Sequence, residues 1–152
     1  MRFTIAAIGR ARAGPERALY EHFAARLSSP PDLREIEEKK PLTVAERRRR
    51  EGERLLDAVP ADAVIIALDE GGKALSSRQL ANRLRDWADE GRRDAAFVIG
   101  GADGLDDAVR RAADLVLSFG PATWPHMLVR GMLAEQLYRT QSILHGHPYH
   151  RD

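Results

Sequence analysis

The 152-residue chain contains no cysteine. Disulfide staples, thiolate metal sites and a cysteine nucleophile are thereby excluded together, and the absence agrees with a reducing compartment. Long apolar runs are missing too. The N-terminal stretch Met1 to Gly9 is charged and then briefly apolar, with no small-residue cleavage motif, which is too short for a signal-peptide core or a membrane span. A cytoplasmic protein with no membrane association is expected. There is no excess of charge either: 24 Lys+Arg against 23 Asp+Glu leave +1, so bulk charge does not announce a nucleic-acid binder. Repeats, low-complexity tracts and linkers are also absent, and 43% hydrophobic residues suffice for one core, so a single domain over residues 1–152 is expected.

What is present alternates between two periodicities. Arg2 to Ile8 is an apolar, partly β-branched run ending at Gly9, whereas Pro15 to Leu27 places Leu19, Tyr20, Phe23 and Leu27 on one helical face. Ser28-Ser29-Pro30-Pro31 ends that helix, because proline lacks an amide donor and restricts the residue before it. A weaker strand over Leu33 to Glu37 precedes Thr43 and Glu46, whose spacing forms a capping box for a helix continuing through Arg47 to Ala58. Ala63 to Leu68, Ala95 to Ile99 and Leu115 to Phe119 are continuous apolar runs of strand length, and helical patterns fill Ser77 to Glu90 and Leu105 to Asp114. Such alternation predicts an α/β fold, a parallel sheet with helices on both faces. The last helix, Pro125 to about Leu144, has apolar residues all round its axis, and a helix of that kind is buried on several sides. A second subunit is expected on one of them.

Three glycine-bearing segments follow the three strongest strands: Leu68-Asp69-Glu70-Gly71-Gly72, Ile99-Gly100-Gly101-Ala102-Asp103-Gly104, and Phe119-Gly120-Pro121-Ala122-Thr123-Trp124. Parallel strands present their carboxyl ends to one edge, so these segments predict one small-molecule site. The second segment matches neither G-x-G-x-x-G nor a Walker loop. Asp103 there would repel a phosphate and suits a neutral or cationic ligand instead. His145, His147 and His150 fall within six residues, but no acid or thiolate accompanies them, and no metal is expected. A hydrolase elbow G-x-S-x-G is missing. The dense block Arg47-Arg48-Arg49-Arg50 reads either as a solvated helix face or as a contact to phosphates.

Four motifs together carry a family resemblance. Ile99-Gly100-Gly101-x-x-Gly104-Leu105, Thr123-x-Pro125-His126-x-Leu128-x-Arg130, Glu135-Gln136-Leu137-Tyr138-Arg139 and His147-Pro148-Tyr149-His150-Arg151 resemble, in order and spacing, the ribosomal RNA large-subunit methyltransferase H family of the SPOUT class. The resemblance implies a sheet whose C-terminal part forms a trefoil knot, a homodimer, and S-adenosylmethionine as methyl donor. It also implies N3-methylation of a pseudouridine in 23S ribosomal RNA, within the assembled ribosome. Cofactor contacts would fall on Leu68, Gly100, Gly101, Phe119, Gly120, Pro121, Ala122, Thr123 and Trp124. Phe119 and Trp124 depart from the smaller apolar residues expected of the family, which alters the shape of the adenine pocket. Substrate-side roles would fall on the tail, Tyr149, His150 and Arg151, with His150 as base or orienting group. Arg139 either contacts RNA or pairs with Glu135 one turn away. A SPOUT methyltransferase acting on transfer RNA would share the cofactor loops but lack the tail. A non-catalytic ribosome-associated protein would show eroded glycines, whereas Gly100, Gly101, Gly104 and Gly120 are intact.

Overall fold

In the computed structural model, which describes residues 1–152, the chain alternates β1 (Arg2–Ile8), α1 (Pro15–Ala24), β2 (Asp32–Ile36), α2 (Val44–Asp57), β3 (Val64–Ala74), α3 (Ser77–Asp89), β4 (Asp94–Ile99), α4 (Asp107–Ala112), β5 (Leu115–Ser118) and α5 (His126–Leu144). All strand pairs are parallel, in the order β2-β1-β4-β3-β5. Strand pleating divides β1 between two cores. Ile5 and Ala7 face a layer that includes Leu80, Leu84 and Trp87 of α3 and Leu133, Leu137 and Tyr138 of α5, with Tyr20 and Phe23 of α1 packed against it. Ala6 and Ile8 face Leu55 of α2 and Val109 of α4. Helices therefore cover both faces, as the alternating pattern predicts.

The expected capping box is formed: Thr43 Oγ1 accepts from the Glu46 amide and Glu46 Oε2 from the Thr43 amide, each at 3.2 Å. Helix α4 is shorter than the expected Leu105 to Asp114, because the Asp106 carboxylate accepts from the Ala108 amide and starts the helix there. Leu105 is instead buried in the preceding turn.

Strand β3 differs most from expectation. It does not end at Leu68 but runs to Ala74, with Leu68 and Lys73 both registered against Leu117. Residues 69–72 form an excursion between two paired stretches. Gly72 allows it: a Cβ there would lie 2.5 Å from the Val116 carbonyl oxygen of β5, a backbone approach that any side chain would block.

Helix α5 crosses the sheet face between α1 and α3, and Leu133, Ala134, Leu137, Tyr138 and Thr140 are buried by this chain alone. Much of its many-sided apolar character is thus satisfied internally. Leu133 is fully buried in the core, so a charge placed there probes folding and not a subunit interface. None of the helices is long and apolar enough to cross a membrane.

Candidate active site

The start of the β3 excursion, the carboxyl ends of β4 and β5 and the first turn of α5 line a cleft of about 740 Å³. Of the residues expected at the cofactor, Leu68, Gly100, Gly101, Phe119, Gly120, Ala122, Thr123 and Trp124 all line it. Pro121 is exposed and does not. The loops are tied to one another. Ser118 Oγ donates to the Glu70 carbonyl at 3.0 Å and accepts from the Gly120 amide at 3.0 Å. Thr123 Oγ1 donates to Glu70 Oε2 at 3.0 Å, and Trp124 Nε1 donates to the Phe119 carbonyl at 3.3 Å. The β3 excursion and the β5–α5 loop consequently form one clamp, built on a buried serine whose residue type alone gave no signal of the role.

Glycine plays different parts along the cleft. A Cβ on Gly100 would lie 2.9 Å from the Gly104 carbonyl. This residue therefore closes the turn on itself, and a larger side chain there disrupts the loop before it meets any ligand. Gly120, at φ +103°, has nothing within 4 Å of the position its Cβ would take. The backbone there leaves open space, the kind of cradle a flat ligand fills.

Charge in the cleft is mixed. Arg110 is held on Asp69 at 2.7 Å and on Asp107 at 2.8 Å, which leaves Asp103 as an acid without a basic partner. Arg48 lines the wall from α2 with a buried, unpartnered Nε, unlike Arg49 and Arg50, which pair with Glu53 and Glu38. Glu51, 5% exposed, packs under Gly101. Burial first, and then the neighbouring Asp103 carboxylate, pushes its pKa above the ordinary range. An acidic floor around a neutral cradle fits a sulfonium-bearing adenosine better than a phosphorylated nucleotide.

His126 begins α5 and also lines the cleft. Its imidazole makes no hydrogen bond, and burial, then the Arg130 guanidinium, holds its pKa below the ordinary histidine value. Arg130, only 2% exposed, donates to Glu35 at 2.7 Å and to the carbonyls of Ile8 and Gly9 at 3.0 and 2.6 Å. It ties α5 to the end of β1.

The tail residues do not share this cleft within one chain. Tyr149 Oη donates to Glu135 Oε1 at 2.9 Å, and Arg139 binds the same carboxylate at 2.5 Å while stacking over the Tyr149 ring at 4.7 Å. Arg139 thus makes the intrahelical pair. His150 Nδ1 lies 3.3 Å from Arg139 Nη1, and its Nε2 lies 3.1 Å from Asp152. Arg151 is exposed. Glu135 stands nine residues from His126, about 13 Å along the helix at 1.5 Å per residue.

Comparison with known proteins agrees with this arrangement. A family model described as predicted SPOUT methyltransferase matches residues 1–150. Proteins named ribosomal RNA large subunit methyltransferase H are 58% identical in Paramagnetospirillum magneticum and in Rhodospirillum centenum, and 52% identical in Rhodospirillum rubrum. Each aligns over 151 residues, 99% of both chains. The chain belongs to this family of SPOUT methyltransferases. Its glycine loops and its tail are therefore parts of a methyltransferase, and the parallel sheet with its clamped carboxyl edge is the frame that positions them.

Proposed function

We propose that this methyltransferase transfers a methyl group from S-adenosylmethionine to N3 of a pseudouridine in 23S ribosomal RNA, acting on the assembled ribosome as a cytoplasmic homodimer. The observation that carries the reading is full-length similarity, at up to 58% identity, to proteins named for methylation of large-subunit ribosomal RNA, with every expected glycine in place. Leu68, Gly100, Gly101, Phe119, Gly120, Ala122, Thr123 and Trp124 would hold the adenosine and methionine parts, with Pro121 bracing the loop from outside. S-adenosylmethionine supplies an electrophilic methyl on sulfur. The protein contributes position, since attacking nitrogen, methyl carbon and sulfur must align, and alignment alone supplies a large share of the acceleration.

Two features support the homodimer. A groove of about 580 Å³, lined by Leu19, Phe23, Leu75, Leu80 and Met132, runs beside the cleft and shares Leu117, Phe119 and Gly120 with it. An apolar surface continuous with the site suits a second copy. The tail residues Tyr149, His150 and Arg151, remote from their own cleft, would then serve the RNA base in the other copy's. The trefoil knot implied by the family would be fastened where the β5–α5 loop meets the β3 excursion, at the hydrogen bonds from Ser118 and Thr123 to Glu70.

Mass spectrometry of ribosomal RNA before and after deletion of the protein tests the reading. One methylated pseudouridine of the large subunit should lose its methyl group, and transfer RNA should be unchanged. Intact large-subunit methylation would refute the ribosomal assignment, and loss confined to transfer RNA would favour the other SPOUT class.

A further inference from the structure

A second cavity of about 740 Å³ opens on the carboxyl edge of the sheet, over the ends of β1 and β2, lined in part by Arg10, Arg12, Tyr20, Glu35, Met127 and Arg130. Only the first turn of α5 divides it from the cofactor cleft: His126 lines the cleft and Met127 the second cavity. Gly9 lies beneath both, since a Cβ there would fall 3.0 Å from Met127 Cε and 3.6 Å from His126 Nε2. The divide stands at the crevice between β1 and β4. From β1 the chain leaves over one face through α1, and from β4 over the other through α4. Open parallel sheets bind their ligands where crossovers part in this way.

The lining of this cavity suits an anion. Arg17 and Arg130 have acidic partners in Glu21 and Glu35, whereas Arg10 and Arg12 make no ion pair and face a single unpaired acid in the lining, Glu16, and the buried Nε of Arg130 has no hydrogen-bond partner. The groove on the other flank of the cleft is mostly apolar and suits protein. A phosphate-bearing substrate is expected on the arginine side.

His126 is equipped for proton transfer. The charges around it are Arg130 on its own helix, Arg10 beyond Gly9, and Arg48, Asp69, Glu70, Asp103 and Arg110 across the cleft. At neutral pH its imidazole is uncharged and neither nitrogen is engaged. His150 differs: with Arg139 donating to Nδ1, its Nε2 proton points to Asp152, so its lone pair is occupied.

Building on the methyltransferase reading, we propose that the acceptor nucleotide is received in the cavity over β1 and β2, with its phosphates on Arg10 and Arg12, and that His126 removes the N3 proton. The imidazole lone pair takes the proton. The pair left on N3 forms the bond to the methyl carbon as the carbon–sulfur bond breaks toward sulfur, giving the N3-methylated base and S-adenosylhomocysteine. The imidazolium then releases its proton to water.

His126→Asn keeps the side-chain size and removes the base. Calorimetry should show S-adenosylmethionine affinity unchanged, while single-turnover methyl transfer to ribosomes near pH 7 falls by about 10²-fold or more, within the range of one acid–base group. The deficit should narrow as pH rises toward ionisation of the imide itself. An unaltered rate, a parallel loss at every pH, or weakened cofactor binding would each overturn the assignment. Arg10→Gln with Arg12→Gln should weaken ribosomal RNA binding and lessen its salt dependence by about 0.7 to 0.9 for each phosphate no longer neutralised, with cofactor affinity and pH profile unchanged. Unaltered RNA binding would refute the cavity's role. If the wild-type protein binds S-adenosylmethionine yet transfers nothing to ribosomes, the methyltransferase reading fails, and this proposal with it.

Discussion

Two histidines flank helix α5 in opposite situations, one in its first turn and one in the tail that folds back along it. At the N-terminal end His126 stands in a cleft among glycine loops with both ring nitrogens free. In the tail beyond Leu144, His150 is held between Arg139 and Asp152, beside a tyrosine that is hydrogen-bonded and stacked. A group that is to accept a proton needs a vacant lone pair, whereas a group that is to orient others benefits from fixed partners. The comparison separates the labour: the cleft end suits cofactor binding and proton transfer, and the tail end suits presenting a surface to RNA. About 13 Å of helix lies between Glu135, which anchors the tail, and His126. One chain's own tail does not reach its own cleft in this conformation, so a composite site needs either a second copy or a moved tail.

The sharpest way to break this division is to block one side. Ala122 lines the cleft and is exposed, so Ala122→Trp fills ligand space without a core cost. Cofactor binding should fall below detection by calorimetry, and methyl transfer with it, while the melting temperature and the tail pairing stay as they are. Retained affinity would move the cofactor elsewhere.

The complementary cut removes the tail. A chain ending at Gly146 loses Tyr149, His150 and Arg151 together with their bonds to Glu135 and Arg139 and the packing of Tyr149 on the buried Tyr138 ring, a cost in melting temperature that leaves the sheet and the cleft in place. It should keep most cofactor affinity and its oligomeric state by light scattering, while transfer to ribosomes drops by about a hundredfold or more through misplacement of the base. His150→Gln alone should cost less, on the order of tenfold, without altering the pH profile. A profile that loses its acidic limb in that variant, and not in His126→Asn, would exchange the roles of the two histidines.

How far these regions could be read from sequence follows from what each rests on. The apolar runs at Arg2 to Ile8, Ala63 to Leu68 and Ala95 to Ile99 pointed to the parallel sheet, because strands covered on both faces have few polar positions. Parallel order in turn brought Leu68, Gly100 and Gly120 to one edge. The β3 excursion was not legible. Asp69-Glu70-Gly71-Gly72 has turn composition, and only the resumed pairing of Lys73 with Leu117 turns it into a bulged strand. The start of the final helix was legible as part of this edge, but not that His126 would face the cleft, nor that Arg48 would reach it from α2, since side-chain direction depends on helix phase and on what packs opposite. The many-sided apolar surface of α5 pointed to a partner, yet α1 and α3 of the same chain cover much of it. Periodicity reports burial and not which chain provides it.

The smallest effect expected concerns acidity, to which the two regions respond in opposite senses. In the tail, hydrogen bonds from Arg78 and His150 hold Asp152 below the usual carboxylate range, so those pairings are present above the ordinary aspartate value and are lost as pH falls through the lowered one. Under the cleft, Glu51 has its folded-state pKa raised by burial and by Asp103. The folded state then binds the Glu51 proton more tightly than the unfolded state. Stability from this group is unaffected well below pH 4.5 and declines as pH rises from there through the raised folded value. Glu51→Gln removes that titration and retains the side-chain size. Its melting temperature should exceed that of the wild type at about pH 7 to 8 by a few degrees at most, since 1 kcal/mol corresponds to roughly 2–4 °C in a chain of this length. The gain should shrink toward zero near pH 4. A gain of equal size at both pH values would mean that Glu51 is no less ionised than a solvated glutamate. A loss at neutral pH would mean that the carboxylate holds the Gly101 loop in place as an anion.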